Sequence, residues 1–360
     1  MWRSLDENLL RHRCKKDEVM KQEYYFQQMN REEKQVYRAM YDGFTALAPE
    51  FPVLRLEGKE LAEIFFRLRL DHPSIFYVSN FTYRFFDQAD SVHLIPEYLF
   101  EKKKIKEHQK ALEGRITRLL RPMQELTPEE QEKSIHDFIL ENVTYDKLQK
   151  QYSHEIIGPL QHGIGVCEGI AKTVKLFCDR LGIDCLIAVS EADPEHGVRY
   201  RHAWNLVKIG GDWMHLDVTF DNSLKRYGTK RYDYYNLDDR QLFRDHQPLI
   251  APVPACTKKD AFYYRVNRLS LTKTEEVGKR LKAVLRKKQP CFVFHWRGGA
   301  WNRSILEEIL REAETQAAAK DKHVWLSVNY PQSVVQINFT DQPAREEILT
   351  EEANEGEEKA

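Results

Sequence analysis

The stretch Gly-Ile-Gly-Val-Cys-Glu-Gly-Ile-Ala, which spans residues 163–171, is the part of this chain that decides its fold. After Cys167, apolar residues recur at intervals of 4, 3 and 4, and this spacing predicts one buried face of a helix. These residues are Ile170, Val174, Phe177 and Leu181. Gly182 then supplies a signal for the end of the helix. The pattern therefore predicts that Cys167 lies at or just before the first turn of a buried helix.

The start of such a helix is a favourable place for a reactive thiol. The first backbone N–H groups have no partner inside the helix, and the positive end of the helix dipole lies there, so both stabilise a thiolate. The same amides can bind an oxyanion. Cys178 falls within the body of this predicted helix, among apolar residues, where we expect an inert core thiol.

A β-hairpin is predicted downstream of this helix. Two segments, residues 203–209 and 212–219, flank the pair Gly210-Gly211, and two glycines between alternating segments are typical of a hairpin turn. We expect both segments to be strands of one antiparallel pair.

The register of this hairpin can be derived from the turn. With a two-residue or a four-residue loop centred on the glycines, Trp204 faces Asp217, and His202, Trp204 and Asp217 share one face of the sheet. His202 is then a diagonal neighbour of Asp217, with roughly 7–8 Å between the backbones and the side chains within reach. A loop of odd length would separate them. A Cys, a His and an Asp in this order are the parts of a thiol nucleophile, its base and the group that orients the base.

Three motifs, in this order and spacing, resemble the catalytic core of the transglutaminase-like superfamily, which is related in architecture to the papain-like cysteine proteases. They are Gly-Val-Cys-Glu-Gly-Ile-Ala at 165–171, Arg-His-Ala-Trp-Asn at 201–205 and His-Leu-Asp-Val-Thr-Phe-Asp-Asn at 215–222. The resemblance covers about residues 130–225, and the flanking regions look like those of bacterial proteins with this core. It implies an α+β fold in which the helix bearing the Cys packs on an antiparallel sheet that carries the His and the Asp.

The resemblance also implies roles for individual residues. Cys167 is the expected nucleophile, His202 the general base and acid, and Asp217 the residue that orients His202. Gln161 lies six residues before the Cys, where papain-like enzymes use a Gln in the oxyanion hole, although a solvated loop Gln is an equal alternative. Trp204 is expected to wall the cleft and bind substrate, with ordinary strand packing as the alternative.

The rest of the chain divides into regions of different composition. We expect a mainly helical amino-terminal region over residues 1–125, a catalytic core over 126–250, and a small α/β region over 255–340. The core begins with a helix that Thr127 caps and Glu130 completes as a capping box. Residues 341–360 contain eight acids and two bases and are expected to be disordered.

Charge and cysteine usage exclude several classes of function. A net charge of −1 in 360 residues gives no electrostatic footprint for nucleic acid or for an anionic membrane surface. The first residues lack the apolar segment of a signal peptide, and no stretch reaches the ~18 apolar residues of a membrane span. These features favour a cytoplasmic location, in which the six scattered cysteines are free thiols. No zinc-ligand spacing, calcium cluster or nucleotide-binding loop is present, so no metal or cofactor is expected.

Two functions compete at this stage, and redox chemistry or thiol storage by the six cysteines is a minor third reading. The first is an enzyme that transfers acyl groups from peptide or carboxamide carbonyls through a thioester on Cys167, with a protein or peptide substrate and with water or an amine as acceptor. The second is a catalytically silent module that binds a protein partner on the same fold. The intact set of Cys, His and Asp favours the first, because a scaffold does not require these residues. The substrate, the acyl acceptor and the oligomeric state stay open.

Overall fold

The computed structural model describes residues 23–85, 89–192, 201–225, 229–247 and 249–342. The chain divides into two compact units. Unit 1 consists of Met1–Asp239 and His246–Lys258, and unit 2 of Arg240–Asp245 and Lys259–Ala360. The predicted disorder of the acidic tail falls on residues that, apart from 341 and 342, lie outside the described ranges. The predicted division at residue 125 stays a prediction.

The amino-terminal part of unit 1 combines helices with a three-stranded antiparallel sheet of order β1-β3-β2. The helices are α1 (Tyr24–Gln28), α2 (Arg31–Thr45), α3 (Gly58–Asp71) and α4 (Lys102–Leu120). The strands are β1 (Phe51–Leu54), β2 (Val78–Phe85) and β3 (Ser91–Tyr98). The two longer strands have eight residues each.

Helix α5 (Pro128–Asn142) starts at the predicted capping box. The side chain of Thr127 accepts from the Glu130 amide, and the Glu130 carboxylate accepts from the Thr127 amide. These two bonds satisfy two of the amides that a helix start leaves without intrahelical partners. The capping box at the start of α5 is confirmed.

Short elements connect α5 to the helix that carries Cys167. They are a 3₁₀ turn at Gln151–His154, a π turn at Gly158–His162 and the parallel strand pair β4 (Thr144–Tyr145) and β5 (Ile164–Gly165). A further 3₁₀ turn, Arg121–Met123, precedes α5. Helix α6 (Cys167–Leu181) then runs to Gly182, which is left-handed at φ 77° as expected for a glycine cap.

An antiparallel sheet of order β6-β7-β8-β9 packs against α6. Its strands are β6 (Cys185–Ser190), β7 (His202–Ile209), β8 (Asp212–Leu216) and β9 (Tyr235–Leu237). The Asn205 amide of β7 donates to the carbonyl of Ala171 in α6 at 2.9 Å, which ties the helix to the sheet. The combination of helices and antiparallel sheets confirms the predicted α+β class. The packing of α6, which begins with Cys167, against this sheet is the predicted arrangement.

The predicted hairpin register is confirmed at the turn. Ile209 pairs with Asp212, and both turn glycines have positive φ (61° and 92°), as a tight hairpin turn requires. The predicted strand through residue 219 is wrong, because β8 ends at Leu216 and helix α7 (Val218–Leu224) begins two residues later. Capping of α7 by Asp217 outweighs the β propensity of the residues that follow.

Unit 2 contains a four-stranded sheet of order β10-β11-β13-β12 with helices packed on it. Its strands are β10 (Ser270–Leu271), β11 (Cys291–Trp296), β12 (His323–Asn329) and β13 (Val334–Thr340). Its helices are α9 (Tyr263–Val266), α10 (Thr274–Arg286) and α11 (Arg303–Ala318). The short helix α8 (Asp239–Leu242) lies where the chain passes from unit 1 to unit 2.

Candidate active site

Cys167 is the first residue of α6, as the sequence predicts. Its backbone therefore belongs to the first turn, whose amides lack intrahelical acceptors. The side chain is partly exposed and packs beside a buried apolar cluster that includes Ala171 and Ala203. A partly exposed thiol at a helix N-terminus is accessible to a substrate and lies at the positive end of the helix dipole.

Gly169 explains why the first turn of α6 can approach the preceding loop so closely. A Cβ at this position would lie 2.2 Å from the carbonyl oxygen of Ser153, a distance that no side chain tolerates. The loop is in turn anchored by Asp146, whose carboxylate accepts from the Ser153 hydroxyl and from the amides of Leu148 and Lys150. The glycine therefore allows α6 to start directly against an ordered loop.

An ion-pair cluster surrounds the residue next to the candidate nucleophile. Glu168 contacts Lys172 at 2.8 Å and Arg69 at 3.4 Å, and both cations also bind Glu155. Burial acts to raise the pKa of the Glu168 carboxyl, but Lys172, His154 and Arg69 together hold this pKa well below its usual range. Because the two cations balance the two carboxylates, the negative charge of Glu168 is largely neutralised beside Cys167.

His202 is the first residue of β7 and links the thiol to a carboxylate. Its Nε2 lies 2.5 Å from Oδ2 of Asp217, and the thiol of Cys167 is near enough to raise the pKa of the ring. Burial acts to lower the pKa of His202, but the charge and hydrogen bond of Asp217, with a smaller contribution from Cys167, raise this pKa to about 10. The imidazole is therefore placed to carry a proton between the thiol and a substrate.

Asp217 is fully buried and uses both of its carboxylate oxygens. Oδ1 accepts from the amides of Thr219 and Phe220 at 2.9 and 3.0 Å and caps α7, while Oδ2 accepts from His202. Burial acts to raise the pKa of Asp217, yet the charge and hydrogen bonds of His202 and His246 hold it well below its usual range. The predicted contact between His202 and Asp217 is present, but the Asp reaches it from a helix cap and not from a strand.

The carboxylate also sets the tautomer of His202. An ionised carboxylate only accepts hydrogen bonds, so the Nε2 that faces Asp217 carries the proton. In the neutral ring, Nδ1 is then the unprotonated nitrogen. This is the state in which His202 can take a proton from the thiol.

Trp204 lies behind His202 and not on an open wall of a cleft. It is 1% exposed, its ring stacks on that of His202 at a centroid distance of 5.8 Å, and its indole N–H donates to Nδ1 of His215 at 3.1 Å. His215 in turn contacts Asp239 through Nε2 at 2.9 Å. The burial favours the packing alternative for Trp204, and a role in substrate binding stays a prediction.

Gln161 lies in the π turn before α6, where its side-chain oxygen is 3.0 Å from Nδ1 of His108 in α4. This contact holds the Gln161 side chain by its oxygen. Its assignment to an oxyanion hole stays a prediction.

His246 is the residue at this site that sequence patterns did not predict. Its Nε2 lies 2.9 Å from Asp217 Oδ2, so two imidazoles share one carboxylate oxygen. The residue lies 29 positions after Asp217, between α8 and a proline-rich stretch. The segment that contains His246 has neither helical nor strand periodicity. No local pattern marks it, and only the folding of this segment back onto the sheet brings it to Asp217.

Among the residues that the structure describes, two groups of side chains have the donor types of a metal site. The donor atoms of His202, Asp217 and His246 lie within 4.8 Å of one another. However, the nitrogen-to-oxygen separations of 2.5 and 2.9 Å are hydrogen-bond distances, shorter than the ~3.3 Å expected between ligands of a tetrahedral zinc ion with bonds of about 2.0 Å. These separations therefore fit hydrogen bonds to the Asp217 carboxylate better than coordination of a metal ion.

The second group is His215, Asp239 and Cys256. Trp204 donates to Nδ1 of His215, so the neutral ring carries its proton on Nε2, the atom that faces Asp239. A protonated Nε2 has no lone pair for a metal. This group is accounted for as a hydrogen-bonded chain that holds Trp204 in place behind His202.

A family model matches the region that contains this site. Residues 117–218, which include Cys167, His202 and Asp217, match the model of the transglutaminase-like superfamily. This region is transglutaminase-like. The match ends before His246 and leaves unit 2 outside it.

Solved structures with similarity to the chain share little sequence with it. A TGase matches at 12% identity and a TM-score of 0.27, with 47% of this chain and 50% of that chain covered. A candidate cysteine protease from Cytophaga hutchinsonii matches at 13% identity and a TM-score of 0.26, covering 39% and 61%. A candidate protease from Parabacteroides distasonis ATCC 8503 matches at 15% identity and a TM-score of 0.23, covering 39% and 36%. The chain thus spans between about a third and three fifths of the length of these proteins.

No curated protein sequence matches the chain significantly. Within the described ranges, none of the helices has the length and apolar content that crossing a bilayer demands. The five cysteines in these ranges all have free thiols, as predicted.

Proposed function

We propose that the transglutaminase-like region is an acyl-transfer enzyme that uses Cys167 as nucleophile on peptide or carboxamide carbonyls. The observation that carries the proposal is the continuous contact from the Cys167 thiol through His202 to Asp217. An accessible thiol at a helix start, a base in the correct tautomer and a buried carboxylate behind it are the requirements of thiol catalysis. The cytoplasmic location and the bacterial origin stay predictions.

The reactive form would be a Cys167 thiolate beside the His202 imidazolium, with the proton of the thiol on Nδ1, and the raised pKa of His202 favours this ion pair. The sulfur then forms a bond to the carbonyl carbon, and the carbonyl oxygen takes the electron pair of the C=O bond. When the C–N bond breaks, the nitrogen leaves with the proton of His202, and a thioester remains on Cys167. Water or an amine next loses a proton to His202 and attacks the thioester, and the thiol is restored when the C–S bond breaks.

The oxyanion needs donors close to the thiol. The first-turn amides of α6 supply them without rearrangement, because the helix leaves them without acceptors. In the proposal the side-chain amide nitrogen of Gln161 is a further donor, and the contact of its oxygen with His108 supports a fixed orientation. Removal of one such donor typically costs about 10²–10³ in rate.

The alternative is a silent binding module on the same fold, and thiol labelling separates the two. The full chain is treated with iodoacetamide at pH 6, and each cysteine-containing peptide is followed by mass spectrometry. We expect Cys167 to react at least ~10-fold faster than Cys178 and Cys256, and to lose this advantage in His202→Ala. The hydrogen bond with Cys185 and then burial raise the pKa of Cys178, and burial raises that of Cys256, so both are internal controls. Equal slow reaction of all thiols would contradict the proposal.

A second experiment identifies the acyl acceptor. The chain is incubated with a library of defined peptides, with and without a biotinylated primary amine, and the Cys167 peptide and the library are analysed by mass spectrometry. New peptide termini indicate proteolysis, conversion of Gln to Glu indicates deamidation, and biotin incorporation indicates transamidation. Cys167→Ala is the matched control, and products that persist in this variant would exclude Cys167 as the nucleophile.

A further inference from the structure

The carboxylate of Asp217 has four hydrogen-bond donors around it. Two backbone amides occupy Oδ1, and the Nε2 atoms of His202 and His246 occupy Oδ2 at 2.5 and 2.9 Å. An ionised carboxylate offers about four acceptor positions, so this group is saturated. The charge of Asp217 is therefore divided between the ring of His202, which lies beside the thiol, and the buried ring of His246.

The surroundings of His246 place it behind the reacting groups. Its side chain is 1% exposed, and its ring packs on Phe220, Trp204 and Tyr234 at centroid distances of 4.6, 5.0 and 5.6 Å. The ring of His202 lies 5.5 Å away at 62°. A substrate on the exposed side of Cys167 has no access to a ring that is buried in this way.

We infer that His246 is a positioning residue for the proposed acyl transfer. It holds the Asp217 side chain and limits how strongly this carboxylate binds the proton of His202. The inference rests on the proposed function and adds to it a residue that lies outside the matched region. A second donor on Oδ2 lowers the electron density that this oxygen offers to His202. Removing the donor makes Asp217 a stronger acceptor for His202 and also leaves a buried acceptor position empty.

The sign of the effect does not depend on the charge of His246. A neutral His246 competes for Asp217 by its hydrogen bond, and a protonated one also repels the imidazolium of His202. Both actions make His202 less basic, so loss of His246 makes it more basic. The titratable groups that face His246 are Asp217, His202, His215 and Tyr234, and all four are retained in the variants that test this inference.

The first test compares variants at position 246 in the full chain and needs no substrate. His246→Phe and His246→Leu remove the N–H donor, whereas His246→Gln retains one. A cooperative thermal unfolding transition first shows that each variant is folded. The rate at which iodoacetamide alkylates Cys167 is then measured between pH 5 and 11 by mass spectrometry of the peptide that contains Cys167. We expect the alkaline transition, at which His202 loses its proton, to rise by about one pH unit in His246→Phe and His246→Leu. In His246→Gln we expect it to stay within about 0.3 unit of the parent chain, because the donor is kept.

Unchanged profiles in the folded Phe and Leu variants would overturn the inference. His202→Ala separates this outcome from failure of the proposed function. If His202→Ala abolishes the fast reaction of Cys167 while the position-246 variants leave it unchanged, the proposed function survives and the role of His246 does not. If His202→Ala has no effect, the proposed function fails first.

A measurement on the parent chain covers the case in which neither donor-less variant folds. With ¹⁵N-labelled histidine, NMR at neutral pH reports which ring nitrogen of each His carries hydrogen. We expect Nε2–H in both His202 and His246, with assignment by His202→Ala and His246→Gln. A hydrogen on Nδ1 alone in His246 would overturn the inference, because that ring could not donate to Asp217.

Discussion

The two thiols of helix α6, Cys167 and Cys178, share an element but not an environment. Cys167 is in the first turn, partly exposed, and in contact with His202. Cys178 lies eleven residues on, about 16 Å along the helix axis, and is fully buried; its interaction with Cys185 and its burial raise its pKa. A cysteine at the start of α6 therefore lies near free backbone amides, an imidazole and solvent, whereas a cysteine towards its end is surrounded by buried side chains.

The difference shows that position in a helix decides what a cysteine can do. Reactivity requires the thiolate, and only the helix start supplies uncompensated N–H groups and a nearby imidazole to stabilise it. Burial at Cys178 acts in the opposite direction, because an apolar surrounding disfavours the charged form. Three predictions test this comparison.

The largest effect is expected from removing each sulfur in turn. Cys167→Ala should abolish peptide turnover and acyl-adduct formation, a loss of at least about 10³-fold, because the covalent route disappears. Cys178→Ala should leave turnover within about twofold and lower the free energy of unfolding by about 1 kcal/mol through a small core cavity. Peptide-library turnover and urea denaturation measure the two quantities. Comparable loss of turnover in both variants would mean that α6 acts only as a scaffold.

A smaller loss is expected when the carboxylate behind His202 is replaced by an amide. Asp217→Asn keeps the size of the side chain and the acceptor that caps α7, but it turns an NH₂ group towards the two imidazole Nε2 atoms. His202 must then move its proton to Nδ1 or rotate, and it can no longer take the thiol proton.

We therefore expect Cys167 alkylation at pH 6 and peptide turnover to fall by about 10²–10⁴ in Asp217→Asn. The reactivity of Cys178 should stay the same, since nothing in its surroundings changes. Parent-like labelling of Cys167 in a folded Asp217→Asn chain would show that Asp217 has only a structural role.

The smallest effect is a pH dependence of stability. The pKa of His202 is raised from 6.5 to about 10 by Asp217, against the effect of burial. The native pair therefore contributes its full stabilisation below pH 6.5, and the contribution is lost as the pH rises towards 10. At the acid end it is also lost when the pH falls below about 4, since the pKa of Asp217 is lowered on folding.

His202→Gln removes this contribution, so the difference in Tm between the parent chain and the variant should be greatest near pH 5–6. It should shrink by several degrees by pH 10. Val174→Ala, which removes only buried methyl groups and no titratable group, is the control, with a Tm difference that does not change over this range. A constant difference for His202→Gln would contradict the charged pair.

Much of this site follows from local patterns in the sequence. The spacing of Ile170, Val174 and Phe177 predicts α6, and the two-residue glycine turn predicts the register of β7 and β8. Both depend on short-range geometry, the 3.6-residue period of a helix and the two-residue period of a strand. These local rules place Cys167 and His202 on their correct elements.

The predicted contact between Asp217 and His202 is present, but Asp217 lies at the start of a helix and not on the predicted strand. The alternating pattern favours a strand through residue 219, but the Asp217 carboxylate accepts two amides and starts α7. An Asp followed by residues that can turn is also a helix N-cap signal, and this local competition with a strand is hard to decide from propensity alone.

The sequence by itself placed Cys167 at a helix start and His202 on a hairpin strand, because the periods of both elements are visible in the neighbouring residues. Only the tertiary structure decided that Trp204 is buried behind His202 and that His246 shares the carboxylate of Asp217. These two contacts depend on how segments far apart in the chain pack together, and residue spacing contains no information on such packing. The pairing of a predicted triad with an unpredicted second imidazole is therefore a property of the fold.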